Sequence, residues 1–259
     1  MKLKSEKEIK IMKEGGEILA KILKRLKNEI KPGITTNDLE RLARELLLSY
    51  GAESSFLGFD NYPAVLCTSV NEEIVHGVPS ERVLKSGDVL KLDMGIYRNG
   101  FHADSAVTVL VGQNSQNEEL IHITTLKVVN IKKLISVTRE ALNIGIAQAK
   151  EGNTTGDIGA AIQEFVRKNG FEVIEDLVGH GIGKELHEWP QVPNFGKRGQ
   201  GDKLVEGMVI AIEPMVVTGK KRTKIGKDGF SYITADKGLA AHFEHTVAIT
   251  EKGPLILTN

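Results

Sequence analysis

An internal repeat covers most of the 259-residue chain and constrains the fold more than any other feature of the sequence. Three motifs of the first half of the chain occur again, in the same order, in the second half. Such a repeat predicts two like halves that each form the same unit of structure. The matching pairs are IKPGITTNDL (30–39) with AKEGNTTGDI (149–158), LKSGDVLKLD (84–93) with LVEGMVIAIE (204–213), and HADSAV (102–107) with HFEHTV (242–247).

Each copy is predicted to contain a helix, a second helix, a strand and a hairpin. Lys and Gly end the first helix, a Thr pair caps the second, and apolar residues follow at helical spacing. An apolar strand then follows a Gly turn. Joined, the halves would form a curved antiparallel sheet with helices on its outside, an α+β fold. Because neither half could bury its core alone, we predict one domain over 1–259, with halves of about 1–115 and 116–259.

A hairpin in the first copy carries two aspartates in apolar surroundings. Asn and Gly at 99–100 are typical of a two-residue turn. This turn sets the register, so that Asp93 faces Ala106 and Asp104 faces Gly95. Both carboxylates would then lie on one face of the hairpin as diagonal neighbours. Aspartate is disfavoured inside strands, so a compensating interaction is expected.

Four carboxylates occupy corresponding positions of the repeat, because Asp93 aligns with Glu213 and Asp104 with Glu244. Each alone could be a solvated turn or edge residue, but together they would repel one another. Two divalent cations would balance four carboxylates. His180, in the segment VGHGIG, is the candidate imidazole ligand, and an imidazole favours Mn, Fe, Co or Zn. The glycines on either side of His180 in this segment are also compatible with a plain tight turn that binds no metal.

The remaining histidines receive different predictions. His76 and His187 lie in predicted loops and are candidates for contacting a substrate. His245, next to Glu244, is predicted to pack or to support a ligand. His122 is predicted to be a solvated residue of a helix.

Composition excludes several classes of protein. The chain has 34 Lys and Arg against 34 Asp and Glu, so no excess of charge favours nucleic acid or lipid as a partner. The basic loop at 220–227 is predicted to be solvated. Cys67 is the only cysteine, which excludes an intramolecular disulfide framework. We found no signal-like segment and no apolar run of about 18 residues, and we therefore predict a cytoplasmic protein.

These motifs together resemble the methionine aminopeptidases over nearly the whole chain. The resemblance rests on the aspartate pair Asp93 and Asp104, on GHGIG with His180, on IEPM with Glu213 and on FEHT with Glu244. The bacterial type I form is the most similar. It implies a single-domain pita-bread fold, the creatinase/aminopeptidase fold, with a pseudo-twofold repeat.

The resemblance also implies a set of metal ligands for two divalent ions (Co, Mn, Fe or Zn). Asp93 would bind one ion through two oxygens, and Asp104 and Glu244 would bridge both ions. His180 and Glu213 would complete the second ion, and a bridging water would be the nucleophile.

Substrate contacts are implied in the same way. Glu213 would move the proton, and His76 and His187 would position the peptide and stabilise the tetrahedral intermediate. The methionine pocket would be lined by Phe56, Phe59, Tyr62, Cys67, Leu186 and Phe230. The chain departs from other members at Leu186 and Phe230, and at His242, where some members carry Gln.

The implied activity is removal of the N-terminal methionine from nascent proteins and peptides, with a small second residue favoured. The expected partners are peptide N-termini and, transiently, the ribosome, with no nucleic-acid specificity, no membrane and a monomeric state. Two rivals remain. One is a proline-specific aminopeptidase or dipeptidase, and the other is a metal-free binding protein on the same fold.

Overall fold

A computed structural model describes residues 2–112 and 125–259. The predicted boundary between the halves, near residues 115 and 116, and the predicted solvated helical position of His122 lie outside the described residues. The described part contains the helices α1 (Glu6–Glu29), α2 (Thr36–Ser49), α3 (Thr125–Gln148) and α4 (Thr155–Lys168), and a short 3₁₀-helix at Phe59–Asn61.

The second helix of each half begins with the same cap. Thr35 accepts a hydrogen bond from the backbone N–H of Asp38 at the start of α2, and the Asp38 carboxylate accepts one from the Thr35 N–H. Thr154 and Asp157 form the same reciprocal pair at α4. Each cap satisfies backbone donors that a helix end would otherwise leave unpaired. The repeated Thr pairs therefore specify the same local structure twice.

The loop before each of these helices is also duplicated. Gly33 and Gly152 have φ angles of +97° and +89°, a region in which a side chain would be strained. The N–H of Gly33 donates to the carbonyl of Leu84 at 2.9 Å, and that of Gly152 donates to Leu204 at 3.0 Å. The aligned segments therefore make equivalent tertiary contacts.

The strands pair only in antiparallel fashion in the described residues. A nine-stranded sheet has the order β1-β4-β5-β14-β9-β7-β8, with β2 also paired to β4 and β15 to β14; β13-β10-β6 and β11-β12-β3 form two small sheets. The bounds are β1 Glu53–Ser54, β2 Cys67–Val70, β3 Glu73–Val75, β4 Val89–Arg98, β5 Phe101–Leu110, β6 Glu172–Val173, β7 Gly179–Gly181, β8 Glu188–Val192, β9 Val209–Ile212, β10 Met215–Val217, β11 Thr223–Ile225, β12 Tyr232–Thr234, β13 Ala240–His242, β14 Glu244–Thr250 and β15 Gly253–Ile256.

The β4–β5 hairpin has the predicted register. Asp93 faces Ala106 and Asp104 faces Gly95. The turn residues at 99–100 have φ angles of +51° and +86°, which a two-residue hairpin of this type requires and which Asn and Gly tolerate. Alternate residues of β4 pack on α1 and α2, whereas Asp93 lies on the opposite face. The register prediction is confirmed.

Each half contributes a hydrophobic cluster under its own helices. One cluster joins α1 and α2 to β2 and β4, and the other joins α3 and α4 to β9 and β14. Val107, on β5, packs against both clusters. The predicted α+β arrangement, with helices covering an antiparallel sheet, is therefore present. No helix within the described residues has the length and apolar character needed to cross a membrane.

Candidate metal centre

A cavity of about 160 Å³ brings the predicted site residues together. Asp60, which the sequence analysis did not propose, also lines it. Its wall comprises Phe56, Phe59, Asp60, Tyr62, Cys67, His76, Asp93, Asp104, His180, Leu186, His187, Glu213, Phe230 and Glu244.

The candidate ligands come from five strands that are consecutive in the main sheet, β4, β5, β14, β9 and β7. Asp93 lies on β4, Asp104 on β5 and Glu244 at the start of β14. Glu213 directly follows β9, and His180 is the middle residue of β7. Because β5 of the first half pairs with β14 of the second, the carboxylates of both halves meet across this seam.

Burial dominates the electrostatics of the carboxyl group cluster. Desolvation raises the pKa of Asp104 to about 7. Desolvation, and then the neighbouring carboxylates, also raise the pKa values of Asp93, Glu213 and Glu244. Without a cation, these groups are therefore held towards their protonated forms.

The donor atoms fit a divalent cation. Oδ1 of Asp93, Oδ1 of Asp104 and Oε1 of Glu244 are buried and find no hydrogen-bond donor among the described residues. Asp104, His180 and Glu244 each offer one ligand atom, and these atoms lie within 4.8 Å of one another. Carboxylate oxygens with one imidazole nitrogen suit Mn, Fe, Co or Zn. A cation at this place would compensate for the burial of the carboxylates.

His180 is oriented by its own backbone. Its Nδ1 lies 2.8 Å from the carbonyl oxygen of Gly181, so Nδ1 carries the proton and donates to that oxygen. Its Nε2 lone pair is left on the side of Glu213, whose Oε1 is 3.7 Å away. Burial, and then His187, lower the pKa of His180 to about 3. A neutral imidazole with a free Nε2 is the form that binds metals.

His76 and His187 lie on the cavity wall, outside the ligand cluster. The His187 ring contacts those of His180 and Phe59 edge-on, with centroid separations of 4.4 and 5.0 Å. Burial, followed by the effect of His187, lowers the pKa of His76 to about 4, and burial also lowers that of His187. His76 has a φ of +60°, an uncommon backbone conformation that often marks functional positions.

Part of the cavity wall is apolar. Tyr62, Cys67, Phe56 and Phe230 pack together. The Tyr62 hydroxyl donates to the carbonyl of Gly77 at 3.0 Å, and its ring meets that of Phe230 at 5.5 Å. Burial raises the pKa of the Cys67 thiol, which favours its neutral form. This wall can receive an uncharged side chain.

Two contacts of the site were not predicted. His242 is fully buried, and its Nε2 lies 3.4 Å from Oε2 of Glu213. Burial lowers the pKa of His187, and the charge of Asp60, in the 3₁₀-helix, raises it by a smaller amount. Asp60 does not stand out in the sequence, whereas His242 was noted only as a departure from members that carry Gln, and its place just before the FEHT motif is a usable signal. His245, predicted to pack or to support a ligand, contacts Thr258 through Nδ1 at 2.9 Å.

Comparison with known proteins defines the class. The sequence model of metallopeptidase family M24 matches residues 10–251. The chain belongs to metallopeptidase family M24.

Within this family the chain is similar to methionine aminopeptidases over its full length. Methionine aminopeptidase from Clostridium perfringens (strain 13 / Type A) is 47% identical over 256 residues, covering 99% of this chain and 98% of that protein. The crystal structure of the methionine aminopeptidase from Thermotoga maritima superposes with a TM-score of 0.92 at 41% identity, covering 100% of this chain and 99% of that one. The predicted resemblance and the pita-bread fold are confirmed.

Prolidases share the fold but differ in extent. The prolidase from Pyrococcus horikoshii OT3 superposes with a TM-score of 0.75 at 27% identity. The match covers 99% of this chain but only 63% of the prolidase. Full-length correspondence therefore favours the aminopeptidase relatives.

Proposed function

We propose that the protein is a methionyl aminopeptidase that removes the N-terminal methionine from proteins and peptides, with a small second residue favoured. One observation carries the proposal: four carboxylates and a neutral imidazole, on or directly after five adjacent strands, line one cavity that also has an apolar wall. The similarity to methionine aminopeptidases over the whole chain supports the same conclusion.

We propose two divalent ions at this cluster, held by Asp93, Asp104, His180, Glu213 and Glu244. Two such ions carry a charge that four carboxylates balance, and Co, Mn, Fe and Zn all suit the donors. When bound, the ions would polarise the scissile carbonyl and activate water as a nucleophile.

The protein's own groups would hold the substrate and move the proton. Glu213 would take a proton from the attacking water and return it to the leaving amine, since a carboxylate at this place can serve as base and then as acid. His76 and His187 are neutral at pH 7, so each can donate one N–H to the carbonyl of the scissile peptide. Such donors stabilise the charge that develops on the carbonyl oxygen.

The apolar wall would select the side chain. Phe56, Tyr62, Cys67 and Phe230 present rings and a thiol, and Leu186 and Phe59 complete the wall. These groups suit the polarisable thioether of methionine. The same cavity also holds the candidate metal ligands, so a side chain on this apolar wall lies beside the cluster.

Four wider properties of the protein also stay predictions that belong to this proposal. They are a single catalytic domain over 1–259, a monomer, transient contact with the ribosome and a cytoplasmic location. A metal-free binding protein is less consistent with buried carboxylate oxygens that find no donor.

The test joins metal analysis to cleavage of a peptide panel. We expect purified protein reconstituted with Mn²⁺ or Co²⁺ to bind about two ions and to cleave Met-Ala-Ser. Acetyl-Met-Ala-Ser should resist, since its amine is blocked, and Met-Lys-Ser should be cleaved poorly. Preferred cleavage of Ala-Pro would reject the assignment in favour of a proline-specific enzyme, and full activity after thorough chelation would reject the metal chemistry.

A further inference from the structure

An ion pair joins the N-terminal segment to the second half, next to the loop that carries Leu186 and His187. Nζ of Lys4 lies 2.5 Å from Oε2 of Glu188, and the two side chains are only 4% and 13% exposed. The backbone N–H of Lys4 donates to the carbonyl of Gly207 at 2.8 Å. Lys4 is therefore fixed both at its backbone and at the end of its side chain.

Glu188, the first residue of β8, also organises the loop before it, residues 182–187. Its Oε1 accepts backbone N–H groups from Lys184 at 2.9 Å and from Glu185 at 3.4 Å. Packing at Gly183 is so close that an added Cβ would collide with Cε of Lys4 and with Oε1 of Glu188. One carboxylate thus joins the ammonium of Lys4 to two amides of the loop.

The same loop presents two residues to the cavity. Leu186 is 3% exposed and packs in a cluster with Met12 of α1. His187 follows it and contacts the rings of His180 and Phe59. The loop therefore lies between the Lys4 contact and the cavity wall, and a change at Lys4 can reach both wall residues.

We propose that Lys4 is a positioning residue that, through Glu188, holds the loop 182–187 and thereby sets the places of Leu186 and His187 for substrate. The inference deepens the proposed function and rests on it, because it assigns substrate contacts to Leu186 and His187. Lys4 itself does not line the cavity in the described residues. Its effect is therefore indirect: a misplaced wall residue weakens the binding of substrate, which is measured as a higher KM.

The experiment compares Lys4→Met with Lys4→Arg, which keeps the charge, and with Glu188→Gln. Each is made in the metal-reconstituted enzyme and assayed on Met-Ala-Ser for kcat and KM separately. We expect Lys4→Met to raise KM about ten-fold with unchanged metal content, and Lys4→Arg to recover most of the loss. Glu188→Gln should give a smaller effect in the same direction, because Gln still accepts the two loop amides and preserves the fold.

Two further measurements separate positioning from general destabilisation. Hydrogen exchange of the Lys184 and Glu185 amides should quicken in Lys4→Met, while amides of β4 and β5 stay protected. Lys13→Met is the matched control, since Lys13 is on the same segment and pairs with Glu17 only at 4.0 Å in a 45% exposed position. Its KM should equal that of the wild type.

Failure of the Lys4 proposal and failure of the proposed function give different results in these experiments. If the wild type binds metal but cleaves no methionine peptide, the function fails, and faster exchange at the loop amides still supports the Lys4 contact. A folded Lys4→Met enzyme with wild-type KM would overturn the proposal. A lower Tm of Lys4→Met, with no change in KM or in hydrogen exchange of the loop amides, would also overturn the proposal.

Discussion

Single side chains in this site are governed by burial more than by residue type. Desolvation is the largest cause of the raised pKa values of Asp93, Asp104 and Glu213 and of the lowered pKa of His180. Burial therefore shifts these carboxyl groups and this imidazole towards their neutral forms. A cation is the natural partner that restores the charged carboxylates.

Substitution of Glu213 tests the residue that the proposal uses twice, as a ligand and as the proton carrier. Glu213→Gln keeps the size of the side chain but removes its charge and its ability to accept a proton. We expect kcat/KM on Met-Ala-Ser to fall by about 10²–10⁴. Glu206→Gln, at an exposed position of the turn before β9, is the control and should retain wild-type activity. A Glu213→Gln enzyme with a near-normal rate at full metal content is incompatible with the mechanism.

Among the elements, the β4–β5 hairpin contributes most to the site, because its register decides where two ligands point. Asp104 faces Gly95, and a side chain is excluded there. A Cβ at Gly95 would lie 2.8 Å from Cε1 of Phe56 and 2.8 Å from Cβ of Ser55. The hairpin thus sets both the ligand positions and the space that the apolar wall occupies.

Gly95→Ala therefore tests the link between the hairpin and the pocket. We expect the added methyl group to displace Phe56 and to raise KM for Met-Ala-Ser by about ten-fold, with metal content unchanged. Gly100→Ala is the matched control, because its φ of +86° is strained for alanine but no atom lies within 4 Å of the added Cβ. It should lower the free energy of unfolding by about 1 kcal/mol and leave KM unchanged. Equal KM values for the two variants would contradict the assigned role of Phe56.

At the scale of the whole molecule, the two halves meet where β5 pairs with β14. Asp93 and Glu213 are equivalent positions of the repeat, and so are Asp104 and Glu244. Both pairs of acidic residues come together at this seam. Burial of four acidic groups at one place opposes folding in the absence of a cation. The stability of the protein should therefore depend on metal and on pH together.

The sign of the pH dependence follows from the shifted pKa values. An acid whose pKa is raised in the folded state stabilises the protein below its unfolded pKa, and that stability is lost as the pH rises through the folded pKa. This holds for Asp104, with a pKa of about 7, and for Glu213 and Glu244, whose pKa values are also raised. The buried histidines act in the opposite direction, but only below about pH 6.5. For Asp104 the loss ends near pH 7, so it is free of the opposing effect of the histidines only between about pH 6.5 and 7.5.

In that window the loss from Asp104 is under about 1 kcal/mol, and we expect the Tm of the metal-free protein to fall by about 2 °C, since each kcal/mol shifts Tm by about 2–4 °C at this chain size. The Tm gained on adding Mn²⁺ should grow over the same interval, because deprotonated carboxylates bind the ion more tightly. Scanning calorimetry at several pH values, with and without chelator, measures both. Asp104→Asn should flatten the fall in the metal-free protein. A Tm that rises with pH in the chelated wild type would refute the argument.

The sequence determined the features that are local or repeated. Thr35 and Thr154 cap their helices because a hydroxyl and a carboxylate three residues apart satisfy the same backbone groups in both halves. The Asn-Gly turn fixed the register of Asp93 and Asp104, since side chains alternate with a period of two along a strand. The repeat then paired these aspartates with the glutamates of the second half. Fold class and candidate ligands could be predicted for this reason.

The tertiary structure alone decided the contacts between segments that no local pattern joins. The approach of His242 to Glu213, the place of Asp60 beside His187 and the ion pair of Lys4 depend on loops whose conformation is set by packing. Asp60 has a φ of +46°, which its neighbours in sequence do not dictate. Local periodicity specifies helices, strands and turns, whereas the meeting of distant side chains depends on the global packing of both halves.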